Sequence, residues 1–440
     1  MIYNYVIIGG GIAGISIAEI LSRTSDKICL IEKERLLMSK SSSDQHGWFH
    51  IGSLYAFMNN EEYLKGLIKN TKDIINYYCE FKRLNMFLNS KGNLEFNTTK
   101  DGWFRNTDVN YLIASRNNQD LVSKNFFGKI INILSWEKKI KKFVSRHNKL
   151  RNFDLRKHES HEEVSKSNFM NYSKKEILKP SFNEINIDNN QFFSMIGFDK
   201  PMRSKTIYSD LYSSFKLNGG TTLLETRYKD IIEKDDHCEI LFNDMKIIKT
   251  KKIIFANGAD IKNYIKDVSV FESPLMVTYP NILTTNIVKL TPNNDNTINH
   301  FMHEHPEGSY SVIGSGLSSK LGDNISKDNV LKIFQRNCKL FFKNIDKVKF
   351  KEIYFGKKVE YSTEDQRNYH YKIFDISKKQ IAVLPGKFSM AFSLAVNIYK
   401  KFNKTNPPST INKDLNLDNR DISENKHYNL VTKFISNTYN

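Results

Sequence analysis

The feature that most constrains this chain lies at its start. Gly9-Gly10-Gly11-Ile12-Ala13-Gly14 follows the apolar run Tyr5–Ile8 and opens a second apolar run with helical spacing, Ile12–Ser22; a short third run, Ile28–Glu32, comes next. Strand, glycine turn, helix and strand in that order read as a βαβ unit. Gly9 permits the tight turn, Gly11 lets a diphosphate approach the backbone, and Gly14 lets the helix pack closely on the sheet. The helix start, with Ile12 and Ala13, offers unpaired N–H groups and a partial positive charge to phosphates. Glu32, 18 residues after Gly14 and followed by Lys33, stands where a carboxylate accepts hydrogen bonds from a ribose and would repel a 2′-phosphate. The motif therefore predicts a site for FAD or NAD rather than NADP.

The rest of the chain narrows the choice. Its 440 residues allow two or three domains, and 40% hydrophobic with 26% charged residues excludes a disordered chain, a collagen-like repeat and a disulfide scaffold. Four cysteines, none in a CxxC spacing, argue against structural zinc and point to a reducing, cytoplasmic setting. The run Tyr5–Leu21 is expected to be neither signal peptide nor membrane span, because nothing basic precedes it, glycines interrupt it and Glu19 lies inside it. The net charge of +18 suggests nucleic acid at first sight, yet only 13 of the 66 basic residues are Arg, so no nucleic-acid partner is expected. The lysine bias reads as AT-rich coding rather than selection for an anionic partner, and a basic surface that attracts anionic substrates or anionic lipid head groups stays open as an alternative.

Periodicity predicts helices over 56–85, Ser209–Leu217, Lys327–Phe342 and Phe388–Lys400. A meander of short strands runs from Thr221 to Lys249 into the apolar strand before Asn257-Gly258. Antiparallel strands are expected between Pro274 and Gly316. Residues 137–179 carry 13 Lys/Arg against six Asp/Glu and read as a solvated basic insertion. Residues 403–440 read as a loose tail with one short helix at 424–437.

Three further segments complete a resemblance. They are Ser41-Ser42-Ser43-Asp44-Gln45-His46-Gly47-Trp48-Phe49-His50, Ile253-Ile254-Phe255-Ala256-Asn257-Gly258-Ala259 and Val383-Leu384-Pro385-Gly386-Lys387-Phe388-Ser389. Taken in order with the glycine fingerprint, they make residues 1 to about 400 resemble the FAD-dependent oxidoreductases of the D-amino acid oxidase clan. That clan includes glycine and sarcosine oxidases, 2-hydroxyglutarate oxidase and flavin-linked glycerol-3-phosphate dehydrogenase.

The resemblance implies an α/β fold: a Rossmann-like FAD-binding domain from residues 1–85, 203–265 and 378–402, with an inserted, mostly antiparallel α+β substrate domain from 86–202 and 266–377. It implies FAD as cofactor, held by the fingerprint and by Ser42, Ser43, His46, Gly47, Asn257, Gly258, Gly386, Lys387 and Phe388. The Lys387 and Phe388 amides are expected to face the flavin ring. The implied activity is hydride transfer to flavin from the carbon next to an amine or hydroxyl of a small amine, amino acid or 2-hydroxy acid. Electrons then pass to oxygen, a quinone or a carrier.

His50, or His46, would serve as general base or hydrogen-bond partner, or carry a covalent flavin link. Arg203 and Arg367 are the candidates for anchoring a carboxylate or phosphate, with Tyr369 and His370 as hydrogen-bond donors. His300, His303 and His305 match no zinc motif and are expected as polar loop histidines, with no metal. Two alternatives stay open: a membrane-associated polyol-phosphate dehydrogenase feeding quinone, and a flavin-binding interaction protein without turnover.

Overall fold

A computed structural model of the chain describes residues 1–57, 61–115, 117–121, 126–151, 183–321, 326–363, 366–409 and 420–439. The helices among them are α1 (Ile12–Ser22), α2 (Glu61–Tyr78), α3 (Phe126–Arg151), α4 (Ser204–Leu217), α5 (Lys327–Phe341), α6 (Ala391–Asn403) and α7 (Lys426–Tyr439). None of the described helices is long and apolar enough to cross a membrane.

Strand Ile2–Ile8 lies inside an eight-stranded sheet, parallel to Ile28–Ile31 on one side and to Ile247–Phe255 on the other, with Thr221–Leu223 at the edge. Ile247–Phe255 is long enough to carry two partners on its far side. Its first half pairs antiparallel with the meander strand Cys238–Phe242, and its second half pairs parallel with Gln380–Leu384. Three segments far apart in sequence thus end side by side, and the turns after Ile8, Phe255 and Leu384 all open at the carboxyl end of the parallel strands. Ligands of open α/β sheets bind at that end.

Every residue of α1 is buried, and the helix packs against α4 and α6 as well as the sheet. Glu19 on this helix is fully buried and kept tolerable by a bidentate pairing with Arg23 (2.8 and 2.9 Å) and a bond from Ser214 (2.9 Å).

The second, nine-stranded sheet runs Gln366–Asn368, Phe350–Thr363, Val268–Tyr279, Tyr310–Ser315, Ile298–His303, Asn286–Leu290, Val109–Ala114 and Phe192–Gly197, with Ser319–Lys320 paired to Val268–Tyr279. It is antiparallel except where Asn286–Leu290 meets Val109–Ala114. Trp136 and Phe143 of α3 complete its core, and the Trp136 indole donates to the Ala114 carbonyl at 2.8 Å. A Rossmann-like sheet joined to a mostly antiparallel one is the expected fold class.

Several boundaries differ from the sequence reading. Lys372–Asp375, expected in the substrate domain, pairs with Gln380–Leu384 and so belongs to the first sheet. Met86, Trp103 and Phe104, also assigned to the substrate domain, are buried in the first sheet's core because α4 holds that stretch: the Trp103 indole donates to Asp210 at 2.6 Å. Helix α4 begins at Ser204 rather than Ser209; its Ser204, Ser209, Ser213 and Ser214 are small enough to bury against neighbours. The basic stretch 137–179 begins as the second half of α3, and its remainder from 152 lies outside the described residues. The expected loose tail is ordered over 420–439: Val431 and Ile435 of α7 pack with Leu275, Val277, Tyr310 and Val312 of the second sheet.

His300 and His303, expected on a polar loop, are buried in strand Ile298–His303. Burial pushes His300 down to about 3 from the ordinary 6.5, and burial together with Arg105 does the same to His427 of α7. A histidine held neutral in the folded state stabilises it above the unfolded value, and that stability is lost as pH falls. Acidification from pH 7 to pH 5 is therefore expected to cost about 2 kcal/mol for each of these two residues. Urea melts at the two pH values check this, and equal midpoints would contradict it.

Candidate functional site

A cavity of about 1120 Å³ runs from the glycine fingerprint to the space between the two sheets. At the first end, Gly9 has φ +116°, and a Cβ there would press on the Ala256 carbonyl; a Cβ on Gly14 would overlap the Gly9 carbonyl oxygen. These two glycines close the turn. Gly11 differs: a Cβ there would have only the Ser42 hydroxyl nearby, at 3.2 Å, so its open side is the cavity itself. Ile12 and Ala13 line the cavity beside it, and the Ile12 amide donates to Ser42 Oγ at 3.0 Å.

Glu32 lines the same end. Its carboxylate accepts from the amides of Gly10 (2.6 Å) and Glu34 (2.9 Å), which fixes its orientation while leaving lone pairs for further donors. Lys33 pairs with Asp260 at 2.6 Å at the rim. Asn257 Oδ1 is buried with no hydrogen-bond partner among the described residues, and a Cβ on Gly258 would meet no atom within 4 Å. Open backbone at Gly11 and Gly258, an oriented carboxylate and an orphaned acceptor form a cradle that fits the adenosine diphosphate half of FAD. Ser43 and Gly47 do not line it. Ser43 donates to the Lys40 carbonyl, and Gly47 packs beneath His303, so both shape the loop rather than contact a ligand.

At the other end stand His46, Trp48, His50, Tyr55, Lys358 and Lys387. His50 is 6% exposed, with its ring 4.4 Å from that of Trp48 and 4.9 Å from that of Tyr55. Its Nδ1 faces Asp199 Oδ2 at 3.9 Å. Asp199 is wholly buried and accepts from the amides of Ile51, Gly52 and Ser53 at one oxygen, and from the Leu54 amide (3.0 Å) and the Tyr111 hydroxyl (2.6 Å) at the other. The turn after His50 is folded around this carboxylate. Burial alone would raise Asp199, but His50, Tyr111 and the Leu54 amide hold it below its ordinary value. Burial lowers His50; Asp199 opposes this, and Lys387 and Lys358 reinforce it. His46, stacked on Phe301, lies well below 6.5 for the same first reason, with Lys358 next. Both imidazoles are neutral near pH 7.

Gly386 has φ +66°, and a Cβ there would overlap the Tyr369 carbonyl, so that turn and the Tyr369 segment close on each other. Tyr369 lines the cavity, and the Lys387 ammonium lies 4.3 Å from its ring centre and 3.6 Å from the fully buried Glu360 carboxylate. One expected donor is already engaged: the Lys387 amide bonds the Pro385 carbonyl at 2.7 Å. Phe388 lines the cavity at the start of the following turn.

Arg203 does not line the cavity. It bonds the Gly102 carbonyl (3.0 Å) and Glu304 (2.9 Å), a carboxylate shared with Arg105, so its charge is used between loops. Arg367 lies in strand Gln366–Asn368 opposite Ser362, and its side chain lies outside the described residues. His370 donates to the Tyr371 carbonyl at 3.0 Å. His300, His303 and His305 diverge: His300 bonds Ser311, His303 donates to the His46 carbonyl, and His305 pairs with Glu307. Among the described residues no group of three His, Cys, Asp or Glu could hold a metal ion. Sequence reasoning missed Asp199, Tyr55 and Lys358. None sits in a motif, and a lysine among so many carries no local signal.

Residues 4–107 match the family model described as FAD dependent oxidoreductase, DAO. No curated protein matches the chain in sequence. Among solved structures, the chain is similar to dithionite-reduced L-alpha-glycerophosphate oxidase from Mycoplasma pneumoniae with FAD bound, at 16% identity and TM-score 0.62, over 94% of this chain and 98% of that one. It is also similar to L-proline dehydrogenase from P. horikoshii (15% identity, TM-score 0.60, 92% and 95% covered) and glycine oxidase from Geobacillus kaustophilus (13%, 0.57, 93% and 99%). At these identities the likenesses establish the fold.

Proposed function

We propose that this chain, whose residues 4–107 match the FAD dependent oxidoreductase model, is an FAD-dependent oxidoreductase of that family and that it oxidises a hydroxyl-bearing carbon of a small anionic substrate, a 2-hydroxy acid or a polyol phosphate. The observation that carries this reading is the buried His50 on the cavity lining that it shares with Lys358 and Lys387, with Asp199 Oδ2 3.9 Å from its Nδ1. FAD, when bound, supplies the hydride acceptor. Asp199 Oδ2, 3.9 Å from His50 Nδ1, is too far for a hydrogen bond but close enough for its charge to favour a proton on that nitrogen, which leaves Nε2 as the basic site for the substrate hydroxyl proton. Even with Lys387 paired to the buried Glu360, Lys358 and Lys387 both disfavour positive charge at His50, and they disfavour a substrate ammonium beside it in the same way, which favours hydroxy compounds over protonated amines. Trp48, Tyr55 and Phe301 wall the histidines off from water. All four cysteines are free.

Anaerobic mixing of the FAD-loaded protein with glycerol phosphates, 2-hydroxy acids and the matching amino acids tests the reading. Hydroxy substrates are expected to bleach the flavin about 100-fold faster than their amino counterparts. Bleaching by amines alone would overturn it.

A further inference from the structure

The loop that supplies Ser42 and His46 to the cavity is held by strand Phe350–Thr363, whose Gly356 packs on the Asp44 carbonyl, and by the far end of the chain. Residues 421–426 meet it directly at Leu37 and at Ser43. Leu37 and Ile422 form a parallel bridge, in which the Leu37 amide donates to the Asp421 carbonyl (2.8 Å) and the Ser423 amide to the Leu37 carbonyl (3.0 Å). Further on, the Lys426 amide donates to the Ser43 carbonyl at 3.1 Å. Gln45 donates to the Ser204 hydroxyl (2.8 Å), which donates to Asn425 Oδ1 (2.7 Å). At the flavin end, His427 is hydrogen-bonded to the Tyr310 hydroxyl (2.7 Å), and its ring lies 4.8 Å from that of His303, which donates to the His46 carbonyl at 3.0 Å. Helix α7 is itself anchored in the second sheet through Val431 and Ile435.

We propose that residues 420–439 form a clasp that sets FAD affinity, with Asn425, Lys426 and His427 as positioning residues. None of the described residues of this segment lines the cavity, so the clasp acts through the loop. On the loop's inner side, the Met38 amide bonds the Gly10 carbonyl (2.9 Å) and Ser42 accepts from Ile12 (3.0 Å), so a loop released outside loses its register on the fingerprint inside. The tail thereby ties the second sheet to the nucleotide turn of the first.

Lys426 begins α7, a position at which proline is tolerated, so Lys426→Pro removes the bond to Ser43 without breaking the helix, while Lys426→Ala keeps that amide. FAD binding to the flavin-stripped protein is read by quenching of flavin fluorescence, together with the melting temperature of the stripped protein. Lys426→Pro and Asn425→Ala are each expected to weaken FAD binding about tenfold, with Lys426→Ala within about twofold of wild type. Unchanged FAD affinity in both variants, or a lower melting temperature with affinity unchanged, overturns the clasp. Should Lys426→Pro not fold, Asn425→Ala decides by the same two readings. The assay contains no substrate, so its failure leaves the hydroxy-substrate reading standing.

Discussion

Gly11→Val is expected to bind FAD about a thousandfold more weakly than wild type while the flavin-free protein melts at nearly the same temperature. The two effects separate because of where the added carbons go. At Gly11 only the Ser42 hydroxyl is near, and the side chain projects into the cavity where the diphosphate must approach the backbone. At Gly14 the same change would overlap the Gly9 carbonyl and push α1 off the sheet, losing fold and cofactor together. Isothermal titration of the stripped protein with FAD reads the difference. Wild-type affinity in Gly11→Val would remove the glycine turn from the cofactor site.

His50→Asn is expected to lower kcat/KM for the best hydroxy substrate by about 10²- to 10⁴-fold, with FAD affinity unchanged, because the amide holds a similar shape but accepts no proton. The wild-type pH profile carries the same claim. The base is active when neutral, and burial, only partly opposed by Asp199, places its titration below 6.5. Activity should therefore hold from neutral pH downward and decline only on the acid side of 6.5, and His50→Asn should lack that decline. Steady-state rates from pH 5 to 8 test this. An acid limb that survives in His50→Asn would assign the proton to another group, His46 being the nearest histidine on the same wall.

Legibility followed locality. The βαβ opening, Glu32 and the strand-turn-helix at Pro385-Gly386 were readable because glycines at forced positions and apolar periodicity act over a few residues. His46 and His50, which line the cavity, sit in a stretch with its own signature. Asp199 was invisible: it serves His50 across 149 positions by accepting four backbone amides, a role that leaves no pattern around it. Arg203 misled for the mirror reason, since a lone arginine beside a core helix looks like an anion anchor until Glu304 arrives from a distant loop. The tail misled through composition. Its bonds to the loop run through backbone groups of Asp421, Ser423 and Lys426, which no side chain announces, and the helical spacing of Leu430, Val431, Phe434 and Ile435 indicated a short helix but not the sheet it packs on. Lys372–Asp375 fell in the wrong sheet because a hairpin partner reads no differently from a strand of the preceding domain.

The visible absorption spectrum of the purified protein, taken before and after acid precipitation with the released cofactor identified, tests the central claim most directly. The account predicts bands near about 370 and 450 nm and free FAD in the supernatant, since His50 must remain unmodified to act as a base. A colourless protein that takes up no added FAD would contradict the cofactor site, and colour kept in the pellet would contradict His50 or His46 as a free imidazole.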